Sequence, residues 1–193
     1  LSGATVRRVT AHHAGNVKTL KLGKSAVISV ERSGEVIPKI VAVVKPASRT
    51  QISETCASCG CALTWQRDFL VCTNHSDCPA QVANTLEHFF KIHGQVDGFG
   101  SKSIEKLVAA GIDTLEKIYD SSREKFQEVG FGPGQSKNLR TELDRSLLVE
   151  TEDWRSLGAF GIPQLGRGDS RHILQHIRLN DLAKITKEEI MAV

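Results

Sequence analysis

The spacing of hydrophobic and polar positions divides the chain into three stretches with different character. Residues 5–10, 25–32 and 35–44 are short runs rich in Val, Ile and Thr, with apolar and polar residues roughly alternating. Such runs predict strands, and Ser33-Gly34 supplies the turn between the last two. Between the first two strands, residues 14–20 predict a short helical turn. The set resembles a small curled barrel, although three strands are too few to close one. Residues 47–55 are polar and read as a linker, and residues 56–80 hold the cysteines around a strand-like segment at 62–71. From residue 80 onward the apolar period becomes helical, broken by glycine-containing turns at 96–100, 129–132 and 160–166. Helices are expected after each break, at 102–110, 136–147 and 168–177. A repeat of about 32–34 residues marks units made of a helix, a tight glycine hairpin and a second helix. Residues 181–193 read as the lead-in to a fourth unit.

Composition narrows the class. The chain has 193 residues, 40% hydrophobic and 24% charged, the proportions of an ordinary soluble protein. No apolar stretch approaches the roughly 18 residues that cross a bilayer, and no basic-then-apolar leader opens the chain. The expectation is therefore a cytoplasmic protein with no membrane partner. Sixteen Gly, one Tyr and two Trp favour several small modules over one large core. The net charge of +3 conceals an asymmetry: residues 1–50 carry nine Lys or Arg against Glu31 and Glu35, so the remainder is net acidic. A basic first module points to a polyanionic partner.

All five cysteines fall between positions 56 and 78, which suggests a metal site in a reducing compartment. Cys56-Ala57-Ser58-Cys59 and Cys72 to Cys78 place two thiolate pairs on two loops, the ligand set of a closed tetrahedral Zn²⁺ site. The metal is expected to be structural, since a module of ~20 residues has little core of its own. Two alternatives use neighbouring residues, with Cys61 replacing Cys59 or His75 replacing Cys78. Cys61 reads instead as a spare small apolar residue. The glycine turns matter through their backbones. Gly98 and Gly100, Gly130 and Gly132, and Gly166 allow close approach, while the helix that follows presents unpaired N–H groups to a phosphate. Lys102, Lys137 and Arg167 place a cation near each turn.

On these residues the whole chain resembles the C-terminal half of the bacterial NAD+-dependent DNA ligases. The motifs that carry the resemblance are Leu1-Ser2-Gly3-Ala4-Thr5-Val6, Arg32-Ser33-Gly34-Glu35-Val36-Ile37-Pro38, Cys72 to Cys78 followed by Pro79-Ala80-Gln81, and Asp97-Gly98-Phe99-Gly100-Ser101-Lys102, in the family's order. The resemblance implies an α+β multidomain chain. Its parts would be an oligonucleotide-binding (OB) barrel lacking its first strand at 1–50, a four-cysteine zinc finger at 51–80, and an all-α helix-hairpin-helix domain lacking its fourth hairpin at 81–193. It implies that Arg32, Val36 and Ile37 contact nicked duplex DNA, that the hairpin glycines grip phosphates, and that the finger holds the two flanking domains in register. The family's Lys-x-Asp-Gly, whose Lys is adenylated, occurs nowhere in the sequence. No catalytic residue is therefore expected in this chain, and NAD+ and Mg²⁺ would bind outside it. The partner would be an adenylation domain in the same or a separate chain, making this a fragment or one half of a split ligase. Rival readings are a non-catalytic DNA-binding protein built from the same modules and a zinc-ribbon scaffold for protein partners.

Overall fold

The computed structural model describes residues 6–33, 37–94 and 96–186. They form two compact units, residues 1–75 and 76–193. The first is mostly β-structure with little interior, and the second is helical with a continuous apolar core.

In the first unit, α1 (Ala14–Thr19) is started by His13, whose Nδ1 accepts the N–H of Asn16 at 3.3 Å. The expected helical turn is therefore present. Strands β1 (Val27–Ser33) and β2 (Ile37–Lys45) pair antiparallel, with register shifts between Val27 and Ile28 and between Ser29 and Val30. Pro38 stands opposite Arg32 near the start of β2, in a two-stranded sheet where a missing N–H is tolerated. Val27, Ile37, Val41 and Val44 are exposed on this ribbon. The expected strand at 5–10 is not formed: Val6 to Thr10 have no regular structure, and Thr5 lies outside the described residues. A β-branched run becomes a strand only against a partner that takes its N–H and C=O groups, and among the described residues β1 and β2 pair only with each other. The segment ends instead in a local turn, with the N–H of His12 donated to Thr10 Oγ1 at 3.0 Å and His12 at φ +66°.

The strand-like segment at 62–71 is a hairpin, β3 (Leu63–Gln66) and β4 (Phe69–Cys72), joined through Arg67 and Asp68. Arg67 takes φ +55°. The Gly15 N–H donates to the Asp68 carbonyl at 2.8 Å, and a Cβ at Gly15 would lie 2.7 Å from Asp68 Oδ1. Only glycine lets α1 sit this close to the hairpin tip.

In the second unit, α2 (Pro79–His93) presents Ala83, Leu86 and Phe90 to the core at helical spacing. The later helices are α3 (Ser101–Ala109), α4 (Leu115–Asp120), α5 (Arg123–Glu128), α6 (Pro133–Ser146), α7 (Asp153–Ala159) and α8 (Arg167–Ile173), followed by a 3-10 turn at Leu179–Lys184. The helices expected at 102–110, 136–147 and 168–177 correspond to α3, α6 and α8. The second begins three residues early at Pro133, whose fixed φ suits a first helical position. The third ends four residues early. Of the proposed fourth unit, residues 187–193 lie outside the described residues. The residues between the hairpin glycines plug the core. Phe99 stacks on Phe90 at 4.5 Å, and Phe131 meets Phe126 edge-on at 6.2 Å. Arg140, on α6, donates to the carbonyls of Tyr119 at 2.6 Å and Ser121 at 2.9 Å, and so ties down the end of α4.

Candidate metal centre and nucleic-acid interface

The chain from Cys56 to Cys61 folds into a knuckle. The Cys56 N–H donates to the Cys61 carbonyl at 2.8 Å, the Gly60 N–H donates to the Cys56 carbonyl at 2.9 Å, and Gly60 takes φ +73° with nothing near a would-be Cβ. This turn aims backbone N–H groups at sulfur. The N–H of Cys59, then that of Ser58, holds the Cys56 thiol below its ordinary value, and the N–H of Cys61 does the same for Cys59. Cys72 ends β4, and Cys78 is the N-cap of α2, where the positive end of the helix dipole favours a thiolate. Pro79 at the first helical position has no N–H to leave unpaired.

Cys56, Cys59, Cys72 and Cys78 have sulfurs all within 4.8 Å of one another, and this local cluster can hold a metal ion. The donor set also passes a geometric test. Four sulfurs about 2.3 Å from a tetrahedral Zn²⁺ stand about 3.8 Å apart, and Cys59 Sγ and Cys72 Sγ are separated by 3.6 Å. Cys72 and Cys78 are buried. Neither open alternative is realised, because Cys61 and His75 are not in the cluster. Cys61 is exposed, its sulfur meets Asn74 Nδ2 at 3.6 Å, and the neighbouring Cys59 thiolate pushes its thiol up.

The glycines divide into two kinds. Gly98 takes φ +90° and Gly130 φ +96°, and a Cβ at Gly98 would meet Leu139 Cδ2 at 2.8 Å. The fold itself requires these two. Gly100 and Gly132 are the N-caps of α3 and α6, at φ −79° and −64°, where any residue fits, and no atom lies within 4 Å of a Cβ at either. Neither helix has a side-chain cap or an acidic residue in its first turn. Gly166 is the N-cap of α8, but its N–H donates to Asp169 Oδ2 at 3.2 Å. A carboxylate of the chain thus takes the N-cap N–H at the third hairpin, unlike the first two.

Sequence reasoning also missed a member of the repeat. Gln164 takes φ +67°, two residues before Gly166, in the position that Gly98 and Gly130 hold before Gly100 and Gly132. Lys102 is the second residue of α3 and Arg167 the first of α8, whereas Lys137 lies a full turn into α6, and all three are exposed. A further cation, Lys106, bonds the Gly130 carbonyl and lies 4.6 Å over the Phe131 ring, which joins the first hairpin to the second. In the first unit, Arg32 belongs to β1, Ile37 opens β2 and is 65% exposed, and Val36 lies outside the described residues.

No protein-family model matches the chain. It is 49% identical over 193 residues to a protein named DNA ligase from Desulfatibacillum aliphaticivorans. It is 46% identical over 194 residues to one from Desulfotalea psychrophila and 48% over 191 to one from Psychromonas ingrahamii. These matches cover 99–100% of this chain but only 29–30% of the relatives, so the chain spans about three-tenths of their length. No helix among the described residues is long and apolar enough to cross a membrane.

Proposed function

We propose, for a chain homologous along its whole length to DNA ligases, that it is the DNA-gripping C-terminal part of an NAD+-dependent ligase that seals nicks in duplex DNA. The observation that carries the reading is the glycine at positions 100 and 132. Neither backbone angle nor internal packing calls for glycine there, and among the residues that cap a helix glycine is the one that leaves room for close approach by something outside the chain. The helix that starts at each presents N–H groups with no internal acid, which suits a phosphate oxygen. Such contacts carry no base sequence and fit an enzyme that must act at any nick. At the third hairpin Asp169 takes the Gly166 N–H, which leaves the start of α8 and the exposed Arg167 to meet phosphate.

Residues 1–50 are the OB portion and residues 51–80 the zinc finger. By the family resemblance, Arg32, Val36 and Ile37 are the DNA contacts of the OB portion. The four cysteines hold a structural Zn²⁺ through Cys56, Cys59, Cys72 and Cys78, and the closed thiolate set leaves no position for catalysis. NAD+, Mg²⁺ and the adenylated Lys belong to the rest of the enzyme. What this part contributes to the reaction is positioning of the nicked strand ends. The test is reconstitution. Incubated with labelled NAD+, this chain alone should take up no AMP, and adding it to an adenylation domain that carries the rest of the barrel should restore sealing. AMP on the isolated chain, or equal sealing without it, would overturn the reading.

A further inference from the structure

The tip of the cysteine-module hairpin carries chemistry that metal binding does not use. Trp65, on β3, is 40% exposed, and Lys18 Nζ of α1 lies 5.2 Å from its ring centroid. Packing does not explain an indole here. Leu63 and Cys72 face each other nearer the metal site, and Trp65 pairs with Leu70 beyond them, toward solvent. Phe69, on the opposite face, is used differently: its ring meets His13 at 5.3 Å and helps to seat α1. At the turn, Arg67 is exposed at φ +55°, a left-handed position that Gly or Asn would fill with less strain. An arginine held there puts a guanidinium at the end of the ribbon.

The surroundings are basic. Residues 1–75 hold ten Lys or Arg against four acidic residues, whereas residues 76–193 hold fifteen against eighteen. Lys21 closes the end of α1, with its carbonyl accepting the Ala47 N–H at 2.9 Å, and Gly23 lies against the Arg49 backbone. Lys18, Lys21 and Arg49 therefore belong to one small region, in which Asp68 is the acidic group beside α1.

We propose that Trp65, with Lys18 and Arg67, is a stacking site for an unpaired base of a nucleic-acid strand, the flanking cations holding its phosphates. An exposed indole beside fixed cations is the combination that binds single strands without sequence preference. The inference rests on the reading that the partner is nucleic acid, and adds that the cysteine module touches unpaired bases directly.

The chain has two tryptophans, and Trp154 is buried, so Trp154→Phe leaves Trp65 as the reporter. The zinc-loaded full chain is titrated with a short oligothymidylate, an abasic strand of the same length, and a blunt duplex. The oligothymidylate should change Trp65 emission to saturation and bind about tenfold more tightly than the abasic strand. Trp65→Ala should weaken oligothymidylate binding by about tenfold and leave duplex affinity within about twofold. Equal binding of the two single strands, or an unchanged Trp65→Ala, would overturn the stacking site while duplex binding left the main reading standing. Binding of none of the three would overturn both.

Discussion

Two glycines only two residues apart should fail for different reasons when each is replaced by alanine. At Gly98 the new Cβ meets Leu139 Cδ2 at 2.8 Å, on a residue 1% exposed, and the backbone is held at φ +90°. The left-handed angle costs an L-residue about 1–2 kcal/mol. Overpacking a core leucine adds about 1–3 kcal/mol. Gly98→Ala should therefore lose about 2–5 kcal/mol of stability in the helical unit. At Gly100 the angle is ordinary and the space is open. Alanine is the poorer N-cap, but it also restricts the unfolded chain by about 0.4–1 kcal/mol, so the net change should stay within about 1 kcal/mol. Its effect should appear on DNA instead. A Cβ where the phosphate approaches removes a charge-assisted hydrogen bond worth about 1.5–3 kcal/mol, or roughly tenfold or more in affinity. Urea unfolding and duplex binding at one fixed salt concentration separate the two. A stable Gly100→Ala chain with unchanged duplex affinity would refute the argument from unneeded glycine.

Cys59→Ser and Cys78→Ser should each drop bound zinc from about one per chain to below about half and loosen the cysteine module first, while Cys61→Ser keeps the metal; equal loss from Cys61→Ser by metal analysis would contradict the assigned set. His93 is held below its ordinary value by burial and by the positive charge of Arg155, and its Nδ1 is buried without a partner. Because the unfolded chain takes up this proton first, stability is full above the ordinary histidine value of about 6.5 and falls as pH drops from there toward the lower folded value. Urea midpoints at two pH values should show this fall in the parent chain and a smaller one in His93→Phe; an identical fall would place the sensitivity elsewhere.

The parts of the molecule that the sequence announced are those in which local chemistry decides. Two thiol pairs sufficed to pick out Cys56, Cys59, Cys72 and Cys78, whose sulfurs cluster, although it is the turn at Gly60 that sets Cys61 apart, and the glycine spacing placed α3, α6 and α8 to within three residues of their starts. The missed features depend on partners distant in sequence or on a residue departing from its usual role. Val6 to Thr10 has the composition of a strand but pairs with no strand among the described residues. Gln164 adopts a glycine's backbone angle, so a search for glycine overlooks the third repeat's true alignment. Asp169 follows Gly166 by three residues, a capping spacing visible in the sequence, yet whether its carboxylate turns inward is a matter of rotamer. Lys106 reaches Gly130 across 24 residues, a contact that no periodicity encodes.

The central claim, a grip on DNA made by hairpin backbones, is tested most directly by measuring the affinity of this chain for two nicked duplexes of equal length and unrelated sequence across a range of salt. The two affinities should agree within about threefold at every salt concentration and fall together, log-linearly, as salt rises. Strong preference for one sequence at fixed salt, or no binding to either even at low salt, would contradict it.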